Sequence, residues 1–158
     1  MGLLKSIDPI LTADLLHILR SMGHGDTLAC VDCNFPATTV ATHTTTGKHC
    51  ILTVTLPEAL EAICSVLPLD FFVPTQAVHM IPQDGVKMPP SGEEVVTALK
   101  DAIHRHCPDA TIEPIDRFSF YEDAKSCFAI VQTMERRPYG NVILTKGCVG
   151  PDGLDLKP

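Results

Sequence analysis

The chain is poor in positive charge. Its 12 lysines and arginines stand against 19 aspartates and glutamates, a net charge of −7. Such a surface repels phosphate backbones and anionic headgroups, which argues against nucleic acid or a membrane as partner and leaves a neutral or cationic small ligand. Long apolar runs are missing too. The best candidate is broken by Pro57, Glu58, Glu61 and Pro68, so no bilayer-spanning helix is expected. The opening MGLLKSIDPI lacks the apolar stretch of a signal peptide, although Gly2 and Ser6 match the short, frequently accidental myristoylation pattern. Seven cysteines are an odd number for a disulfide framework, and a chain of this size does not need one; free thiols in the cytoplasm are the expectation. There is no G-x-S-x-G, no P-loop and no G-x-G-x-x-G, so serine-esterase, nucleotide-hydrolase and standard dinucleotide chemistries lose their usual support. Zinc would need more than Cys30 and Cys33, which differ in strand parity, and His104, His106 and Cys107 suit the end of a helix as cationic and core residues. No metal site is expected.

What is present is an ordinary globular mixture: 158 residues, 45% hydrophobic and 20% charged, enough for one domain with a real core. Thr12 can cap a helix over 13–22, with Leu15, Leu16, Leu19 and Met22 on one face and Gly23 as the stop. TLACVD (27–32) reads as a strand buried on both sides. The Thr-rich stretch 41–55 is a strand or an ordered loop. Pro57 opens a helix that turns Leu60, Ile63 and Leu67 inward, and AVHMI (77–81) is a short strand. Ser91 and Glu94 have capping-box spacing ahead of Val95, Val96, Leu99, Ala102 and Ile103. ATIEPI is extended, RFSFYEDAKS a short helix, and CFAIVQT (127–133) and NVILTKG (141–147) are apolar strands. Alternating helices and nearly all-apolar strands predict an α/β fold, a single three-layer α/β/α domain with a largely parallel central sheet, over residues 1–148, followed by a Gly/Pro-rich tail at 149–158.

The chemistry-bearing candidates cluster in a few motifs. His24 stands between Gly23 and Gly25, just past the carbonyl end of the first helix, where the dipole favours an imidazolium and glycines allow close approach. Spacing alone also fits a plain turn with a surface histidine. Asp32 ends a buried strand, where ligands gather in open α/β sheets; it fits a turn former equally well. Both tyrosines of the chain, Tyr121 and Tyr139, fall in the C-terminal third with Arg117 and Asn141. Tyr139-Gly140-Asn141 sets a phenol and an amide on either side of a small residue. That suits a clamp for a polyhydroxylated ring, or a turn with a packed tyrosine.

Taken in order, MGHGD, VDCNFP, RFSFYE, CFAIVQTMER and YGNVILTKG closely resemble the L-fucose mutarotase branch of the sugar mutarotase / D-ribose pyranase family, from about residue 5 to about 148. The resemblance implies that His24 is the proton donor and that Asp32, Tyr139 and Asn141 bind sugar. It further implies that Asp70 and Tyr121 are sugar contacts, and that Arg117, a histidine in the ribose branch, favours fucose over ribose. It implies an isomerase that interconverts α and β anomers by acid/base ring opening, with Tyr139, Asp32 or a water as the partner base. No cofactor is implied, and the expected assembly is a ring-shaped homo-oligomer with sites close to subunit contacts. A non-enzymatic sugar-binding accessory or sensor protein would use the same clamps.

Overall fold

The computed structural model describes residues 2–158. Six strands form one sheet in the order β2-β5-β1-β6-β3-β4, built from β1 (Thr27–Val31), β2 (His49–Ile51), β3 (Ala77–Ile81), β4 (Ile112–Asp116), β5 (Ala129–Gln132) and β6 (Val142–Thr145). Five strands run one way. Only β6 is reversed, antiparallel to both β1 and β3, which it joins in the middle of the sheet. The largely parallel expectation therefore holds, and its single exception is the strand that carries YGNVILTKG.

Strand alternation divides the core in two. Leu28, Cys30, Ala77, Val131, Val142 and Leu144 face one layer, made by α1 (Ala13–Ser21), α3 (Leu56–Cys64) and α4 (Pro90–His106). Ala29, Val31, Met80, Ile130 and Ile143 face the other, made by α2 (Ala37–Ala41) and α5 (Arg117–Lys125). Both faces are dry, which is why the strands read as apolar runs rather than alternating ones. Phe120 of α5 is fully buried, worth about 2–3 kcal/mol of apolar transfer.

Local differences from the sequence reading have plain causes. The Ser91–Glu94 capping box does not form; α4 starts two residues earlier, at Pro90 with Pro89 as its N-cap, because proline's fixed φ suits the first turn and needs no N–H partner. The capping box belongs instead to α3, where the Glu58 carboxylate accepts from the Thr55 N–H and hydroxyl. The short helix α2 lies in a stretch with no helical periodicity long enough to register. At α1, Gly23 does not take the left-handed conformation; Gly25 does, at φ +85°. The helix end is closed by the Lys146 ammonium, which donates to Leu19 O at 2.7 Å and Met22 O at 2.5 Å.

Residues 148–158 fold back as a small hairpin, with Gly150 N donating to Leu154 O and Leu156 N to Cys148 O. The hairpin roofs a cavity of about 780 Å³, where Cys107 is engaged with Asp155 and Lys157 with Asp109.

Candidate functional site

The carboxyl ends of the parallel strands hold a second cavity of about 230 Å³, lined by Asp32, Asn34, Phe35, Met80, Arg117, Tyr121, Pro138, Tyr139 and Asn141. Topology explains the gathering. Asp32 follows β1, Met80 sits near the end of β3, Arg117 follows β4, and Asn141 precedes the reversed β6, so all four arrive at one edge. This is where open α/β sheets bind ligands.

Asp32 is 4% exposed. A carboxylate so placed costs several kcal/mol unless it is hydrogen-bonded, and it is: Oδ1 accepts from Asn34 N and Phe35 N, each at 2.9 Å, and Oδ2 from Asn141 Nδ2 at 2.8 Å. The Asn141 Oδ1 in turn accepts from Asp32 N at 3.0 Å, a reciprocal pair that fixes the amide's orientation. Burial raises the Asp32 pKa above its ordinary value, against the lowering pull of Asn141 and the two backbone N–H groups.

Arg117 is the first residue of α5, where the helix dipole disfavours a cation by about 0.3–1 kcal/mol. Two features offset that. Asp116 caps the helix, accepting from Phe118 N and Ser119 N, and the guanidinium lies 5.4 Å from the Tyr121 ring centroid. Tyr121 stacks on Phe35 with centroids 5.2 Å apart, extending the stack to the cavity's apolar wall. Tyr139 has φ +66°, a conformation costing a side-chain-bearing residue on the order of 1–3 kcal/mol. The strain falls on the tyrosine itself. Gly140 is required for space, since a Cβ there would lie 2.8 Å from Glu135 Cγ.

His24 and Asp70 are elsewhere. His24 precedes β1 and Asp32 follows it, so about 15 Å of strand separates them. His24 Nε2 meets Asp70 Oδ1 at 3.0 Å, and its ring packs edge-on to Phe72 with centroids 5.9 Å apart. Asp70 also accepts from Phe72 N at 3.0 Å, and its own N–H donates to Thr145 O. Within one chain, then, Asp32, Arg117, Tyr121, Tyr139 and Asn141 come together, while His24 and Asp70 form a separate dyad at the amino end of the sheet. The helix-dipole argument for His24 also changes, because Lys146 already satisfies the end of α1. Asp70 serves here as the partner of His24.

The cysteines and histidines weighed against zinc have separate surroundings. Cys30 is buried and Cys33 half-buried; His104 bonds to Ala110 O, His106 to Glu61, and Cys107 to Asp155. Sequence reasoning missed Phe35 and Met80 as cavity walls, and Glu135 and Arg137 beneath the Tyr139 loop. The charged run MERR was the available signal for the last two.

Comparison with known proteins places the whole chain. Residues 5–149 match the model of the RbsD / FucU transport protein family. The chain is 37% identical to the fucose mutarotase of Danio rerio over 158 residues, covering 96% of this chain and 98% of that one. It is 36% identical to the fucose mutarotase of Homo sapiens, covering 98% and 99%. Among solved structures, the fucose mutarotase of Streptococcus pneumoniae in complex with L-fucose superposes with a TM-score of 0.81 at 34% identity, covering 93% of this chain and all of that one. With a family match over nearly the whole length and relatives this similar end to end, the chain belongs to the RbsD / FucU transport protein family.

Proposed function

We infer that this protein is a mutarotase that interconverts the α and β anomers of L-fucose by general acid/base ring opening and closure. The observation that carries this reading is the cavity at the carboxyl end of the sheet. It offers a buried carboxylate, an amide, two phenols and a guanidinium around the apolar walls of Phe35 and Met80. Those groups suit the hydroxyls and the C–H face of a deoxypyranose. The full-length likeness to fucose mutarotases, one of them solved with L-fucose, selects the sugar.

The chemistry asks for two proton movements. The anomeric hydroxyl gives up a proton, the ring oxygen gains one, the C1–O5 bond opens to an aldehyde, C1 turns, and the ring closes on the other face. Each transfer is helped by a group that titrates near working pH. In this reading His24 carries the proton to and from the ring oxygen. Its Nε2–H is pinned to Asp70, which leaves Nδ1 to exchange. Tyr139 stands at the cavity as the partner for the anomeric hydroxyl, while Asp32, Asn141, Arg117 and Tyr121 hold hydroxyls that do not react.

Because His24 and the cavity lie at opposite ends of β1, the reading requires that the complete site form between two copies, His24 and Asp70 of one facing Asp32 and Tyr139 of the next. Phe72 and Val73, exposed beside His24, suit such a contact. The assembly is a homo-oligomer, ring-shaped by its relationship to the family, with residues 1–148 as the mutarotase-like domain and 149–158 as its tail. The site works in the cytoplasm, where the free thiols persist; among the described residues no helix is long and apolar enough to cross a membrane.

The test is saturation-transfer NMR on L-fucose anomers. His24→Ala lowers exchange by roughly 10²–10⁴-fold while sugar still binds. Exchange at the wild-type rate in that variant would remove His24 from the mechanism, and no exchange with the wild-type protein would leave the sugar-sensor reading.

A further inference from the structure

The loop from Thr133 to Asn141 delivers both Tyr139 and Asn141 to the cavity through a strained backbone at Tyr139. A side-chain-bearing residue stays left-handed only when its surroundings over-determine it. Glu135 supplies that. Its carboxylate is buried, at 3% side-chain exposure, and turns back on its own chain. Oε1 accepts from Arg137 N at 3.0 Å and Arg137 Nε at 2.8 Å; Oε2 accepts from Arg137 Nη2 at 2.8 Å. Its carbonyl accepts from Cys33 N at 2.9 Å, next to Asp32, and its N–H donates to Thr133 Oγ1. Gly140 lies directly against its side chain. Burial works to raise the Glu135 pKa, and the Arg137 bonds outweigh it, so the group stays ionised and the fork stays closed.

We propose that the Glu135–Arg137 fork is a positioning device that fixes the turn carrying Tyr139 and aims its phenol into the cavity. Asn141 is tied to Asp32 by two bonds of its own, so opening the fork displaces Tyr139 more than Asn141. Turnover therefore suffers more than sugar affinity. The kinetic half of this rests on the mutarotase reading; the structural half does not.

The chain has no tryptophan, and both of its tyrosines line this cavity, so the near-UV circular dichroism attributable to tyrosine reports on it. Arg137→Lys keeps the charge but loses the planar fork. We expect kcat for anomer exchange to fall on the order of ten-fold or more with KM for L-fucose held within about two-fold. The tyrosine dichroism should weaken, with the melting temperature near that of wild type. Gly140→Ala, which drives a methyl into Glu135, should shift both readouts the same way. Should Arg137→Lys not fold, the Glu135→Gln/Arg137→Met double variant, which removes both charges, carries the same expectation. An unchanged kcat together with an unchanged tyrosine spectrum overturns the proposal, as does a rise in KM equal to the fall in kcat. If wild-type protein fails to exchange L-fucose, the function falls, while the tyrosine spectrum of Arg137→Lys still decides the fork.

Discussion

At the carboxyl end of the sheet, Asp32 is 4% exposed and held by three N–H donors from its own chain; at the amino end, the His24 side chain is 47% exposed and leans on one carboxylate. One end is preorganised, the other left open. The difference fits the tasks proposed for them. Hydroxyl-binding groups work best when locked before the sugar arrives, since ordering them later subtracts from affinity. A proton carrier must reach a group it does not itself enclose, and an exposed imidazole flanked by Phe72 fits a role completed by another surface. β6 joins the two ends. It begins beside Asn141 in the cavity and runs into Thr145, Lys146 and Gly147, where Thr145 O takes the Asp70 N–H and Lys146 O takes the Gly25 N–H.

The sharpest way to break this comparison is to mix defects. His24→Ala and Asp32→Asn proteins are each expected to be inactive. If the halves meet between copies, co-refolding them one to one restores exchange at about a quarter of the sites, the statistical share in a closed ring. Mixtures as dead as their parents would overturn the site shared between copies. A smaller effect is expected at the joint between β6 and the dyad. A Cβ on Gly147 would strike the Leu69 carbonyl and stand 2.8 Å from Asp70 Cα. Gly147→Ala should therefore cost about 1–3 kcal/mol in denaturant unfolding and slow exchange, with the tyrosine spectrum of the distant cavity unchanged. Loss of that spectrum would mean that the two ends are not separable.

The smallest effect is expected from His79, at 3% exposure in β3, whose ring nitrogens have no hydrogen-bond partner among the described residues. Burial first, then Lys100, lowers its pKa below the ordinary 6.5. The unfolded chain thus binds this proton more readily than the folded one, and stability rises with pH through the window just below 6.5. The contribution is complete above that window and lost as pH falls through it. His79→Leu should flatten this part of the stability–pH curve, measured by urea midpoints; an unchanged slope would assign it to another group.

Most of the fold was legible because its causes are local. Apolar β-branched runs gave β1, β3, β5 and β6, and 3.6-residue periodicity gave α1, α3 and α4. What failed was equally local in kind: α2 is too short to show a period, and the Ser91–Glu94 spacing goes unused while the unread Thr55–Glu58 box forms. Of the cavity, Asp32, Arg117, Tyr121, Tyr139 and Asn141 were readable as polar residues at strand and helix boundaries. Phe35 and Met80 were not, because a cavity wall and a core residue have the same composition. Nor were Glu135 and Arg137, since a charged pair two residues apart looks like solvated surface until burial closes around it.

By itself the sequence determined the α/β class, the net negative charge of −7, and the residue types able to grip a sugar and pass a proton, because these depend on composition and short-range pattern. Only the tertiary structure decided that His24 pairs with Asp70, that Lys146 and not His24 closes α1, and that His24 and the cavity around Asp32 stand at opposite ends of one strand. Residues eight apart can share a loop or span a sheet; strand direction and the reversed β6 settle which, and those come from long-range pairing that no short window of residues contains.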